Sequence, residues 1–184
     1  MNLREKQQAE THQHFLATAF DLFREQGYNA TSMNQIATRA GFSRTALYQH
    51  FPNKPAIVLE HLSTVRLDLR ELVLELGKAP EYSAEYVRPW LESLAQTWIN
   101  SSEEFLAIEQ AVAEDKHVAR EWLTMINAIA ENFPGGDDYG FRLKFVNLFL
   151  GTDRSFYFLY GRGFLDNEEQ VMKNLTEQWV VALS

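Results

Sequence analysis

Between Gly27 and Pro52 the chain has room for only two short helices, and they meet at Gly41. One begins at Ser32, where Ser32 and Gln35 have the spacing of a capping box. The other follows Ser43 and must stop before Pro52. A lone helix this short is not stable in water, so both need a neighbour to pack on. Ile36, Ala37, Phe42, Leu47 and Phe51 are the apolar residues that supply the contact. The segment before them offers the partner. Over 3–26, Phe15, Leu16, Ala19, Phe20 and Phe23 recur on one helical face, and Gly27 ends the run. Three helices with a glycine turn between the last two have the layout of a helix-turn-helix, in which the final helix is presented outward.

The rest of the chain keeps the helical period, with no sustained alternation of the strand kind, so the fold class is all-α with about nine helices. Further helices are expected over 53–76, over 83–100 with Pro89 as a kink, and from 101, where Ser101 and Glu104 make a capping pair. Three more follow over 115–132, over 139–160 and over 166–181, the last capped by Asp166 with Glu169. "GKAP" and "FPGGDDYG" are the clearest breaks. The most apolar window, 141–160, is interrupted by Arg142, Lys144, Asp153 and Arg154, which reads as a buried helix rather than a membrane span. The polar N-terminus lacks the apolar core of a signal peptide, and there is no cysteine, so the cytoplasm is the expected location and a membrane is not an expected partner.

Charge is unevenly spread. The chain carries −8 overall, yet residues 1–54 hold six Lys/Arg against four Asp/Glu, and no carboxylate occurs between Glu25 and Glu60. Arg39, Arg44 and Lys54 lie in that acid-free window, as on a surface built to approach an anion. On a wheel of 3.6 residues per turn, Arg44, Thr45, Tyr48 and Gln49 fall within an arc of roughly 140°, with Leu47 and Phe51 centred about 110° away. Such a polar face suits a DNA groove: Arg pairs with guanine, Gln with adenine, and a Thr methyl touches thymine. Ser43, Tyr48, His50 and Lys54 add candidate phosphate contacts. The alternative is an ordinary solvated corner of three helices.

The stretch "TSMNQIATRAGFSRTALYQHFPNKPAIV" resembles the DNA-binding segment of the TetR/AcrR family of transcriptional regulators. Thr31, Ile36-Ala37, Ala40-Gly41, Ser43, Leu47-Tyr48, Phe51 and Asn53-Lys54 carry the resemblance. It implies an all-helical homodimer, with a helix-turn-helix DNA-binding domain over 1–54 and a ligand-binding and dimerisation domain over 55–184. It implies base contacts to a double-stranded operator from Arg44, Thr45 and Gln49, and backbone contacts from Thr31, Ser32, Asn34, Ser43, Tyr48, His50 and Lys54. Pro55 stands where an acidic residue is frequent, at a first-turn position that tolerates proline.

Beyond residue 80 the aromatic load is heavy, and such residues at helical spacing are ordinarily core. As a set they also suit an apolar small-molecule pocket with few polar anchors. The resemblance favours a pocket between the fifth, seventh and eighth helices. Its expected walls are Trp90, Leu94, Trp98, Trp122, Ile126, Phe149 and Phe156, with Thr97, Asn127, Asn147 and Thr152 as polar groups. The Asp153–Arg154 pair reads as a salt bridge at a seam or solvent edge, and less readily as an anchor for a ligand carboxylate. The eighth helix, apolar nearly all round, needs cover on both sides. Phe145, Tyr157, Tyr160, Val171, Leu175, Gln178 and Trp179 are the expected dimer contacts, unless the ninth helix only covers the eighth within one chain.

No catalytic constellation is visible. His12, His14, His50, His61 and His117 form no metal or base motif in sequence, and no P-loop, nucleophile elbow or dinucleotide fingerprint occurs. The expectation is a ligand-responsive regulator, a repressor in sign, with no enzymatic activity, metal or cofactor. A helical carrier or sensor, or a protein-interaction adaptor, is the alternative.

Overall fold

A computed structural model describes residues 2–184 as nine α-helices and one π-helical turn. The chain packs as two compact units. The first runs through Thr64 and takes in Glu103–Arg120; the second comprises Val65–Ser102 and Glu121–Ser184. Among the described residues no helix is long and apolar enough to cross a membrane.

In the first unit, α1 (Leu3–Gln26) opens on a capping box between Asn2 and Glu5 and buries Phe15, Ala19, Leu22 and Phe23. Its end is made by Gly27, whose φ of 88° is open to glycine without strain and whose N–H bonds Phe23 O. Helix α2 (Met33–Ala40) carries the expected Ser32–Gln35 box. It closes on Gly41 in the left-handed conformation, φ 77° and ψ 22°, which turns the chain at once into the next cap. Ser43 then accepts the Ala46 N–H and starts α3 (Arg44–His50). Seven residues cannot hold a helix by themselves. Burial of Leu47 and Phe51, worth about 1.5–3 kcal/mol each, supplies what the backbone lacks. Helix α4 (Lys54–Gly77) follows, with Ile57, Val58 and Leu62 buried near its start.

The first unit reaches past the expected boundary at 54 because α6 (Ser102–Glu114) is bound into it. The Tyr28 N–H donates to Gln110 Oε1 at 2.8 Å, Asn29 donates to Glu114 at 3.1 Å, and His61 Nε2 donates to Glu104 at 3.0 Å. The Glu104 carboxyl is held below the usual carboxylate range, chiefly by that bond from His61. Glu104 is therefore occupied by α4 rather than by the expected pairing with Ser101, and Ser101 instead terminates α5.

The second unit contains the later part of α4, then α5 (Ala84–Asn100), most of α7 (Lys116–Glu131), α8 (Tyr139–Phe156), the π-turn Tyr157–Gly161, and α9 (Glu168–Leu183). Its core is aromatic. Trp179 meets Trp90 edge-on at 4.7 Å and Phe145 edge-on at 5.3 Å between ring centroids. Three buried indole N–H groups have acceptors: Trp90 bonds Leu72 O, Trp98 bonds Asp153, and Trp179 bonds Thr152 Oγ1, all at 2.9 Å. Helix α8 stops four residues short of the expected 160, where the chain widens into the π-turn. Helix α9 is capped by Asn167, not Asp166, through the Gln170 N–H. Two good capping residues stand side by side there, and local pattern does not choose between them.

Candidate nucleic-acid interface

Helix α3 presents two chemically distinct faces. Leu47 and Phe51 are 0% and 1% exposed, whereas Arg44, Thr45, Tyr48 and Gln49 are exposed and Ala46 is half-buried between them. The division matches the helical wheel. Phe42, before the helix, is partly exposed but lays its ring against Phe15 at 5.1 Å, so it still ties the turn to α1. Arg44 is not loose on this face. Its guanidinium lies over the Tyr48 ring at 5.3 Å and donates to Tyr48 Oη at 3.3 Å. That rest position restrains a long side chain, and so lowers the entropy lost when it engages a flat hydrogen-bonding edge.

Of the three cations in the acid-free window, Arg39 is paired with Glu25, and Lys54 is turned inward. Lys54 Nζ donates to Tyr28 O at 2.6 Å and to Thr31 O at 2.9 Å, and sits 4.0 Å from the Tyr28 ring centroid. Burial lowers the pKa of this amine, with Glu114 opposing. The expected phosphate contact from Lys54 is therefore corrected to an anchor for the turn that precedes α2. Thr31 is corrected likewise: it is 2% exposed, and its hydroxyl donates to Gly27 O at 2.9 Å. A hydroxyl needed to close a tight turn cannot also face solvent.

The remaining expected backbone contacts lie on the surface. Asn34 is exposed, and Ser32 and Ser43 are exposed with their hydroxyls engaged in caps. His50 is half-buried, with its ring 5.3 Å from both Phe15 and His12. Sequence spacing gives His12 no role, because the i, i+2 relation points it away from His14. Only the fold brings it to His50 and Glu60.

In the second unit, Trp90, Leu94, Trp98, Trp122, Ile126, Phe149, Thr152 and Phe156 are all buried. Thr97 and Asn127 are half-buried and bond within their own helices, to Ser93 O and Glu131. Asn147 departs from the expectation: it is exposed, on an open groove of about 680 Å³ between α8 and α9 with Gly151, Gln178 and Val181. Three expected dimer contacts, Phe145, Leu175 and Trp179, are also corrected, because they are buried inside the chain's own core. Tyr157, Tyr160 and Val171 are half-buried, and Gln178 is exposed. Asp153 and Arg154 diverge: Asp153 accepts from Trp98, while Arg154 lies over the Tyr157 ring.

Residues 15–61, which hold α2, α3 and the buried face of α1, match the family described as bacterial regulatory proteins, tetR family. Residues 15–61 are thus a tetR-family segment. The α2–α3 turn lies within the matched residues. The chain is similar to the HTH-type transcriptional regulator AcrR of Shigella flexneri, 34% identical over 112 residues, which is 60% of this chain and 46% of that protein. It thus spans less than half of that relative's length. A likeness in fold extends across the chain. A TetR family transcription regulator from Marinobacter aquaeolei superposes with a TM-score of 0.66 at 19% identity, covering 97% of this chain and 98% of that one. NalD, the secondary repressor of the MexAB-OprM multidrug efflux pump in Pseudomonas aeruginosa, does so with a TM-score of 0.60 at 19% identity, covering 94% and 97%.

The inward turn of Lys54 has a measurable consequence. Lys54→Ala should cost about 1–3 kcal/mol of stability, because two charge-assisted bonds to carbonyls are lost. The salt dependence of any DNA binding should keep its slope. Urea unfolding and a salt series check this together. A slope shallower by about one ion per site, with stability unchanged, would return Lys54 to the phosphate backbone.

Proposed function

We propose that the protein is a homodimeric transcriptional regulator that grips a double-stranded DNA operator through α3, and a repressor that lets go when a small apolar or aromatic effector binds within 55–184. The observation that carries this reading is the polar face of α3, held outward while Leu47 and Phe51 are sealed behind it. In the dimer, two copies of α3 enter successive major grooves about 34 Å apart, so the operator is a near-palindrome. Arg44, Thr45 and Gln49 read bases; Ser32, Asn34, Ser43, Tyr48 and His50 position the duplex. Such a protein acts in the cytoplasm, where bacterial DNA lies.

The dimer seam falls on the outer faces of α8 and α9. Leu143 and Val181 are exposed there, at 50% and 79%, beside the groove that Gln178 lines. The effector site is the aromatic interior of the second unit, around Trp90, Trp98 and Trp122. Helix α4 begins in one unit and ends in the other, and it conveys the effector's influence. To empty the operator decisively, the effector must favour the released state by about 5 kcal/mol. NalD, a repressor of similar fold, lends support to the sign of regulation.

A salt series on DNA affinity tests the reading. Each neutralised phosphate should contribute a slope near 0.9 in log–log form, so contacts from two half-sites give a steep decline. A carrier or an adaptor would give no such decline, since neither needs the duplex.

A further inference from the structure

Three helices of the first unit meet at His12. From α1, its Nε2 lies 2.6 and 2.8 Å from the two carboxylate oxygens of Glu60 on α4. Its Nδ1 lies 3.2 Å from Nδ1 of His50, the last residue of α3. Its ring stacks on Phe51 at 4.4 Å. The other titratable groups nearby are engaged elsewhere: His14 donates to Ala40 O, and Arg39 of α2 pairs with Glu25. No described residue bonds His50 Nε2.

A nitrogen-to-nitrogen contact of this length holds one proton. Glu60 can only accept, so His12 Nε2 carries hydrogen in every state that keeps the contact. Two arrangements keep His50 neutral. If His12 also carries a proton on Nδ1, it donates to His50, and neutral His50 must bear its own hydrogen on Nε2. If His12 is neutral too, the shared proton belongs to His50 Nδ1, and His50 Nε2 is a bare acceptor; a doubly protonated His50 beside a neutral His12 is the third, and it donates from both nitrogens. The first offers a donor on the unpartnered side of the ring, suited to a phosphate oxygen. The second offers a lone pair, which a phosphate repels. Both Glu60 oxygens face His12 and not His50, which is the geometry of the first.

We propose that His12 is a positioning residue for DNA binding: held on Glu60 through Nε2–H, it uses its Nδ1–H to set His50 as the Nε2–H tautomer that donates to the operator backbone. The proposal rests on the DNA-binding reading of α3. Its pH sign follows from the two arrangements. Operator affinity is highest while the His12–His50 pair shares its extra proton, and falls as pH rises and that proton leaves. A second extra proton on the pair in acid would set two N–H groups face to face and break the contact.

Two measurements test this. Long-range proton–nitrogen NMR correlation on the free protein reads the tautomers without DNA. Where the pair holds its extra proton, His50 should be neutral with hydrogen on Nε2 and His12 doubly protonated; hydrogen on His50 Nδ1 would overturn the proposal. A pH series of operator affinity is the second. Loss of one charge-assisted bond per recognition helix predicts a fall of about tenfold per half-site as the proton leaves. Glu60→Gln should move that fall to lower pH, and His12→Gln, which keeps a donor that does not titrate, should abolish it. A merely structural His12 would lower affinity in both variants without moving the midpoint, and that result refutes the proposal. Absence of DNA binding at every pH would instead refute the DNA-binding reading, leaving the NMR result to decide the tautomer.

Discussion

Trp179→Ala is expected to destabilise the second unit by about 3–5 kcal/mol, the range for emptying a large aromatic site that cannot collapse. The side chain is fully buried, with Trp90 and Phe145 both set edge-on against it. It also donates to Thr152 Oγ1, a hydroxyl that is itself 0% exposed and passes its own hydrogen to Leu148 O. A companion variant separates packing from polarity. Thr152→Val keeps the volume but strands the indole N–H, at a cost of about 1–3 kcal/mol. Denaturant unfolding checks both. Because Trp179 is buried in the chain's own core, the loss should appear in unfolding, with the dissociation constant of the proposed dimer little changed. A variant that stays folded as a stable monomer would put Trp179 back at the seam.

Residues whose structural effect is local were legible in sequence. Ser32, Ser43, Gly41 and Gly27 each act on the backbone within one turn: α1 ends, α2 begins and ends, and α3 begins where those residues require. The two faces of α3 were legible for the same reason, since a wheel needs only the helix itself. Helix α8 was harder. It is apolar nearly all round, so its pattern does not say which aromatic faces inward. Only the packing of α9 sends Phe145 to the core and leaves Leu143 outside. Contacts between distant residues were invisible. Lys54 lies 26 residues from the carbonyl of Tyr28, and His12 lies 38 from His50. A cation near a proposed DNA surface looks like a phosphate ligand until the fold shows what it already holds.

The second large effect concerns Arg44. Arg44→Ala should lose about 1–3 kcal/mol at each half-site, the value of one bidentate base contact. Over two half-sites that amounts to roughly thirtyfold to twenty-thousandfold in affinity for the preferred duplex. Random DNA should suffer much less, because its binding rests on summed charge and not on one base edge. Three features suit Arg44 to reading a base. It is exposed, it is restrained on the Tyr48 ring, and its helix is sealed from behind by Leu47 and Phe51. The most direct measurement is therefore a pair of affinities, for a duplex enriched from a random pool and for unselected DNA, taken with the native chain and with Arg44→Ala. A large loss on the enriched duplex with a small loss on unselected DNA is the result expected of a base-reading α3. Equal losses on both, or a native chain that enriches no duplex in dilute salt, would contradict it.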